Sequence, residues 1–457
     1  MRLTELAQLL GAQIIRGDPE LVVRRFSTDT RTVQSGDCFI ALQGPNFDGH
    51  EFLNVAAERG ASAAVVSHPT RASNSPSVLA LLQVPDTLTA LHKLATNYRR
   101  LMPLSTRVVA VTGSSGKTTT KEMIAAVLGQ RFNVVKTEGN MNNHIGLPLN
   151  LLRLDEKTDF GVFELGTNHP GEIRALAELA QPNVGVITNI GLAHAEFLGD
   201  EEGVMREKAS LLSALPASGF AVLNVDDKWL PEMRARMRGS VVRIGIENFA
   251  DVRATDIQLN GCVKFRLHLA KKREEVTVRL QTLGRHQVYN ALEAAAVGNI
   301  FGMSLDEIRE GLENVEFPHL RMEIIERAGI RYVNDCYNAN VPSMRAALQT
   351  LRETATDGRK IAVLGDMLEL GAHAQAAHLD VGACAANTGC ELLITVGQSA
   401  RWIAEGATEA GMERHKVFPA ISAGEAAEAL NSLAREGDTV LIKGSRRVGL
   451  ERILETK

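Results

Sequence analysis

Continuous apolar runs closed by glycine or a polar residue recur through the middle of the chain: RVVAVTG, FGVFELG, VGVITNI and GFAVLNV, with helically spaced segments between them. Runs of this kind suit strands buried on both faces, and their alternation with helices predicts βαβ units under a parallel sheet. Helices are predicted over GVMREKASLLSAL, VYNALEAAAVGNIF and SLDEIREGLENV. Two alternating segments, CVKFRLHL and EVTVRLQ, flank a charged turn and predict an antiparallel hairpin appended to that sheet. Beyond Pro318 a second series starts with IRYVND, KIAVLGD, ELLITVG and DTVLIKG, which predicts another doubly wound domain. The first hundred residues mix short strands (DCFIAL, ASAAVV, VLALLQV) with helices and end in the amphipathic stretch DTLTALHKLATNYRRLM, closed by Pro103. The SNSPS tract at 73–77 is predicted as a loop, and no internal repeat or low-complexity segment is present.

A length of 457 residues agrees with about three folding units. Hydrophobic residues at 45% and charged residues at 23% describe a soluble globular protein, with no apolar run suited to a membrane span. A formal charge of −4 leaves no electrostatic footprint for nucleic acid, and the densest charge run, Lys271 to Glu275, is mixed in sign. The five cysteines, Cys38, Cys262, Cys336, Cys384 and Cys390, form no CxxC pair or disulfide framework, which points to reduced thiols and the cytosol. The N-terminal MRLTELAQLLGAQ lacks the long apolar core and cleavage site of an export signal.

The strongest chemical signal is Thr112-Gly113-Ser114-Ser115-Gly116-Lys117-Thr118, set between an apolar strand and a helix. Glycines let backbone N–H groups turn toward phosphate oxygens, and the helix N-terminus adds a favourable dipole. Lys117 can reach β- and γ-phosphates, and the Thr118 hydroxyl can serve magnesium. The general pattern GxxxxGK[ST] is missed, because Val111 stands at the first glycine position. This loop predicts nucleotide binding, and by itself does not separate a switch, a motor and a ligase.

Glu164 ends the strand FGVFELG and His194 follows VGVITNI, so both are expected at the carboxyl edge of a parallel sheet, where ligands bind. Both side chains can ligate a cation, although histidine is an unusual magnesium ligand and, for His194 taken alone, a capped turn histidine is the favoured reading. Lys208, on the predicted helix after His194, reads by spacing alone as a plain helix lysine.

The ordered set TGSSGKTTTKEM, EGNMNNHIGLPLNLL, FELGTNHPGEI, ITNIGLAHAEFLG, REKASLL, LGRHQVYNALEAAAV and LGDMLELG resembles the Mur ligase family over nearly the whole chain. In that family the phosphate loop has the shorter GxxGKT form. The resemblance implies an α/β fold in three domains: a small mixed uridine-nucleotide domain at 1–103, a central ATP-binding domain with a P-loop parallel sheet at 104–316, and a Rossmann-like domain at 317–457 that takes the amino substrate. It implies ATP as cosubstrate and two magnesium ions, one held by Thr118 and the phosphates, the other by Glu164, His194 and Lys208 carbamylated by carbon dioxide. It further implies that Asn290 touches adenine, Arg321 the phosphates and Asp335 the ribose. Asn142 and Asn143 are candidates for substrate orientation or oxyanion contact, with turn chemistry as the competing explanation.

Within the family, the segment STDTRTVQSGDCFIALQGPNFDGHEF resembles the uridine-nucleotide domain of the two later ligases, and offers Ser27, Arg31, Asn46, Asp48 and His50 to the nucleotide. A polar loop that only connects strands is the alternative. The DNPR motif of the diaminopimelate-adding members is absent; VNDCYNANVPSM, with Asn338 and Asn340, and KGSR resemble members that add D-alanyl-D-alanine to UDP-N-acetylmuramoyl-tripeptide. The expected enzyme uses only small-molecule substrates, with no nucleic acid and no membrane insertion, and nothing requires more than a monomer. Two rivals are folylpolyglutamate synthetase, which lacks a uridine-nucleotide domain, and a nucleotide switch, for which no NKxD-type guanine motif is evident.

Overall fold

A computed structural model describes residues 1–68, 76 and 78–455. Apart from Pro76, the predicted SNSPS loop lies outside the described residues. The chain forms two compact units, Met1–Ala110 with Asn133–Gly166 and Ala175–Pro182, and Val111–Phe132 with Thr167–Arg174 and Asn183–Lys457.

In the first unit, strands Gln13–Arg16, Ala80–Gln83, Ala63–Val66, Cys38–Ile40 and Phe26–Ser27 lie side by side in that order. All neighbours run parallel except the first pair. Alternate residues of one strand feed opposite cores: Ala63 and Val65 face helices Leu3–Leu10 and Thr87–Leu101, and Ala64 and Val66 face helix Leu53–Glu58. Burial of both faces explains why these strands read as unbroken apolar runs. Helix Thr87–Leu101 starts where Asp86 accepts from Thr89 N at 2.6 Å and stops before Pro103. The same unit holds the neighbouring strands Arg107–Thr112, Phe160–Glu164 and Val134–Lys136, the first of which crosses into the second unit at Val111.

The second unit contains a further run of paired strands and a six-stranded sheet. Strands Val184–Ile187, Phe220–Asn224 and Ser240–Gly245 pair in parallel, and Val252–Gln258 joins them in parallel. The predicted hairpin, Val263–Leu269 against Glu274–Leu280, then continues the same sheet in antiparallel register. The predicted helix over residues 203–215 is broken at Ala209 into Glu201–Lys208 and Ser210–Ser213. Helix Lys117–Leu128 packs against helices His286–Ile300 and Leu305–Glu313, the latter opened by a Ser304/Glu307 capping box.

The other sheet orders its strands Glu323–Arg327, Ile330–Asn334, Thr439–Lys443, Lys360–Gly365, Leu392–Val396 and Val417–Ala420. Only the first pair is antiparallel. Alternate residues again serve two cores: Ala362, Leu364 and Leu441 on one face, Ile361, Val363 and Val440 on the other. Leu283, from the segment between hairpin and helix His286–Ile300, is 2% exposed within the first of these cores. Burying one such leucine contributes about 1.5–3 kcal/mol, so this insertion ties the two groups of strands in the unit together.

Candidate functional site

The phosphate loop is shaped by what its glycines admit. Gly113 has φ +150°, and a Cβ there would meet Thr188 Oγ1 at 1.8 Å; Gly116 has φ +80°, and a Cβ there would lie 2.7 Å from Asn290 Oδ1. Side chains at either position would push the loop off the segment 188–191 or off helix His286–Ile300. Lys117 arches back so that Nζ donates to Gly113 O at 2.8 Å. The turn is laced to the next strand end: Ser115 N donates to Asn189 Oδ1 at 3.1 Å, Asn189 Nδ2 returns to Ser115 O at 3.1 Å, and Thr188 Oγ1 donates to the same carbonyl. Ser114 Oγ, buried, donates to Gly191 O at 2.8 Å. These bonds fix the loop before any anion arrives.

Behind the loop, Thr120 Oγ1 donates to Glu293 Oε2 at 2.7 Å. Asn290, one turn earlier on the same helix, is buried and donates to Gln287 Oε1 at 2.8 Å. The Thr120–Glu293 bond thus ties helix His286–Ile300 to the phosphate-loop helix, whereas the Asn290–Gln287 bond stays within helix His286–Ile300. Burial pushes the Glu293 carboxyl up to about 8.

His194 sits at the start of the short helix Ala195–Leu198 with φ +54°, and its Nδ1 lies 2.6 Å from Glu369 Oε2. Lys208 ends helix Glu201–Lys208 and is 1% exposed, so it is not the solvated helix lysine that spacing alone suggests. Its neighbour Glu207 accepts from Gly171 N at 2.6 Å and Ile173 N at 2.8 Å, fixing the loop 167–171 at the start of helix Glu172–Ala180.

The segments that flank the last sheet bring two more of the expected residues to the phosphate loop. Arg321 Nη2 donates to Thr118 Oγ1 at 2.9 Å. Asn340 caps helix Val341–Glu353 through Ser343 N, and its Nδ2 donates to Ser114 O at 3.0 Å. Asp335 is paired with Lys443, Nζ to Oδ2 at 2.5 Å, and the same ammonium donates to Asn338 O at 3.0 Å. Asn338 itself is exposed.

In the first unit, Glu164 is 2% exposed at the end of its strand and accepts from Asn142 Nδ2 at 2.8 Å. Asn143 Oδ1 instead accepts from Ile145 N and Gly146 N at the start of helix Gly146–Leu151, so its side chain is spent on the turn. Among the uridine-nucleotide candidates, Ser27 is buried and donates to Asp29 O at 2.9 Å, and Arg31 is forked onto Asp29, whose carboxyl it holds below the usual range. His50 Nε2 accepts from Ser67 N at 3.0 Å, which leaves Nδ1 to donate to Asp48. Asn46 lies exposed on the same loop.

Four residues beside these positions, Asn189, Glu369, Tyr337 and Lys443, were not singled out by the sequence. All lie inside quoted motifs, VGVITNI, LGDMLELG, VNDCYNAN and KGSR, which is the signal that could have found them.

Residues 22–99 match the Mur ligase family catalytic domain, 111–298 the Mur ligase middle domain and 320–446 the Mur ligase glutamate ligase domain. The chain is 37% identical over 437 residues to the UDP-N-acetylmuramoyl-tripeptide–D-alanyl-D-alanine ligase of Bacillus subtilis, covering 95% of this chain and 93% of that one. Among solved structures, MurF from Acinetobacter baumannii superposes with a TM-score of 0.90 at 33% identity over 99% of this chain and 98% of that chain. The MurF ligase of Thermotoga maritima, in complex with ADP, gives 0.82 at 30% identity, over 95% and 97% of the two chains.

Proposed function

The chain belongs to the Mur ligase family, and from that premise we propose that it is the ATP-dependent ligase joining D-alanyl-D-alanine to UDP-N-acetylmuramoyl-tripeptide, a step of peptidoglycan precursor synthesis. One observation carries the reading: in a chain similar along its whole length to such a ligase, Arg321 and Asn340 meet the phosphate loop at Thr118 and Ser114. A nucleotide held by the loop would be met by the element that follows Pro318. The proposed division of labour is 1–103 for the uridine nucleotide, 104–316 for ATP and 317–457 for the dipeptide.

A carboxylate is a poor electrophile, because its leaving group would be oxide. Transfer of the ATP γ-phosphoryl group to the tripeptide carboxylate gives an acyl-phosphate, and the dipeptide amine then attacks its carbonyl carbon, expelling phosphate. The protein's task is positioning and charge neutralisation. Lys117, released from Gly113 O, reaches the β- and γ-phosphates; Arg321 adds a second cation; Asn290 and Asp335 hold adenine and ribose. Asn142, tied to Glu164, orients the substrate carboxyl group.

The donor chemistry suits magnesium: the Thr118 hydroxyl, the buried Glu164 carboxylate, and His194 with Nδ1 tied to Glu369 so that Nε2 is the donor. Among the described residues no three His, Cys, Asp or Glu side chains form a ready metal cluster; in the proposed arrangement the ATP phosphates would complete the ion at Thr118, and a carbamate on Lys208 the ion at Glu164 and His194. When bound, the ion supplies positive charge against the transferring phosphoryl group.

The proposed compartment is the cytoplasm, in keeping with five free cysteines, and the proposed working form is a monomer. No helix among the described residues is long and apolar enough to cross a membrane.

The test is mass spectrometry of products from ATP, D-alanyl-D-alanine and either the diaminopimelate- or the lysine-containing nucleotide tripeptide. A pentapeptide product with phosphate release that requires both co-substrates is expected. Hydrolysis of ATP unaffected by either substrate would instead identify a nucleotide switch.

A further inference from the structure

Two backbone strains bracket Arg321. Leu320 has φ +63° and Met322 φ +52°, a left-handed region that side chains of this size rarely occupy. Strain on both sides of one residue persists only where the surroundings enforce it, and here they do. Met322 is 5% exposed in the core of the last sheet, and its N donates to Asp335 Oδ1 at 3.3 Å. Leu320 O accepts from Tyr337 N at 3.1 Å. The segment is therefore sewn to residues 335–337 on either side of the arginine, which is thrust outward between the two attachments.

The guanidinium so presented has two partners among the described residues. Its Cζ lies 4.0 Å from the centroid of the Tyr337 ring, and Nη2 reaches Thr118 Oγ1. Nε is buried without a hydrogen-bond partner. No hydrogen bond of the Tyr337 hydroxyl is present among the described residues, so the tyrosine meets the arginine by its ring face alone.

We propose that Tyr337 is the positioning residue for Arg321: its ring face holds the guanidinium pointed at the start of the phosphate-loop helix, so that the nucleotide phosphates meet an already ordered cation. This rests on reading Arg321 as a phosphate contact in ATP-dependent ligation. An arginine side chain loses considerable rotamer freedom when it is fixed, and a stacked platform removes that cost before ATP arrives. The ring contributes through its quadrupole, which an aliphatic side chain of similar bulk does not reproduce.

The experiment compares kcat and KM for ATP, at saturating dipeptide and nucleotide tripeptide, in wild type, Tyr337→Phe, Tyr337→Leu, Arg321→Ala and the Arg321→Ala/Tyr337→Leu double variant. Tyr337→Phe should stay within about twofold of wild type, and Tyr337→Leu should lose about five- to thirtyfold in kcat/KM for ATP. In the Arg321→Ala background, Tyr337→Leu should add almost nothing. An equal loss from Tyr337→Leu in both backgrounds, a Tyr337→Leu enzyme as active as wild type, or a Phe variant as damaged as the Leu variant each overturns the proposal. If Tyr337→Leu folds poorly by thermal melt, phenylalanine analogues with one, two and three ring fluorines at position 337 keep the volume nearly constant while weakening the ring face. Their kcat/KM should then fall stepwise, and a flat series overturns the proposal. A wild-type enzyme that makes no pentapeptide sinks the ligase reading itself, whatever the variants do.

Discussion

Nδ1 of His194 lies 2.6 Å from Oε2 of Glu369, and two residues on, Glu196 N donates to Glu369 O at 3.2 Å. An ionised carboxylate only accepts, so the imidazole donates from Nδ1 and keeps its Nε2 lone pair outward. That bond holds the Glu369 carboxyl below its ordinary range. Glu369→Ala should lower kcat/KM about ten- to a hundredfold, the usual cost of losing a partner that orients a ligating histidine. Glu369→Gln, whose amide oxygen still accepts, should lose less. Stability should change by no more than ~1 kcal/mol, because the pair is partly solvated. Steady-state ADP release and a thermal melt on each variant decide this, and wild-type turnover in Glu369→Ala would remove the carboxylate from the site.

Glu293 is 1% exposed, and its Oε1 has no hydrogen-bond partner among the described residues. Burial raises its carboxyl from 4.5 to about 8 in the fold. The group is neutral in the folded chain and ionised in the unfolded one between those limits. Its contribution to stability is therefore complete below about pH 4.5, declines as pH rises, and is lost above about pH 8. Urea unfolding of wild type and Glu293→Gln across this window gives a difference curve that isolates the residue. The wild type should lose stability relative to the glutamine variant as pH rises; parallel curves would mean that Glu293 is ionised in the fold.

The strands buried on both faces were legible because each is a continuous apolar run, and helix Thr87–Leu101 because Asp86 and Pro103 mark its ends. The edge strand Glu323–Arg327 was not, since only one of its faces touches the core and its sequence, EIIER, carries charges at three of five positions. The break at Ala209 was equally hidden, because residues 203–215 keep helical spacing through it. At the site, the phosphate loop is local chemistry and could be read from consecutive residues. Glu369 and Lys443 take their roles from partners 175 and 108 residues away, which no local pattern encodes.

Lys443 is 3% exposed by its side chain and Asp335 13%, and the ammonium also donates to Asn338 O. Removing one member of such a pair leaves the other buried without compensation. Lys443→Met should therefore cost about 3–5 kcal/mol, whereas Asp335→Asn/Lys443→Met should recover a substantial part of it. The double variant should also lose affinity for ATP if Asp335 holds the ribose. Chemical unfolding of the pair measures the coupling, and a double variant no more stable than Lys443→Met would show that the ammonium acts through the Asn338 carbonyl instead.

Lys208 is 1% exposed and adjoins Glu207, whose carboxylate is already committed to Gly171 N and Ile173 N. Next to the proposed magnesium ion, a lysine this deep would be costly as an ammonium, because like charges repel strongly away from water. Reaction of the neutral amine with carbon dioxide exchanges that charge for an anionic oxygen donor of the kind magnesium prefers. Protein equilibrated with ¹³C-bicarbonate should then show a carbamate carbon by ¹³C NMR, and the signal should be absent from Lys208→Ala. The same variant should have no measurable ligation, and excess bicarbonate should not restore it, since no amine remains to modify. The two readouts separate the possibilities. A carbamate signal that persists in Lys208→Ala places the modification on another lysine, and turnover retained in Lys208→Ala removes the residue from the cation site.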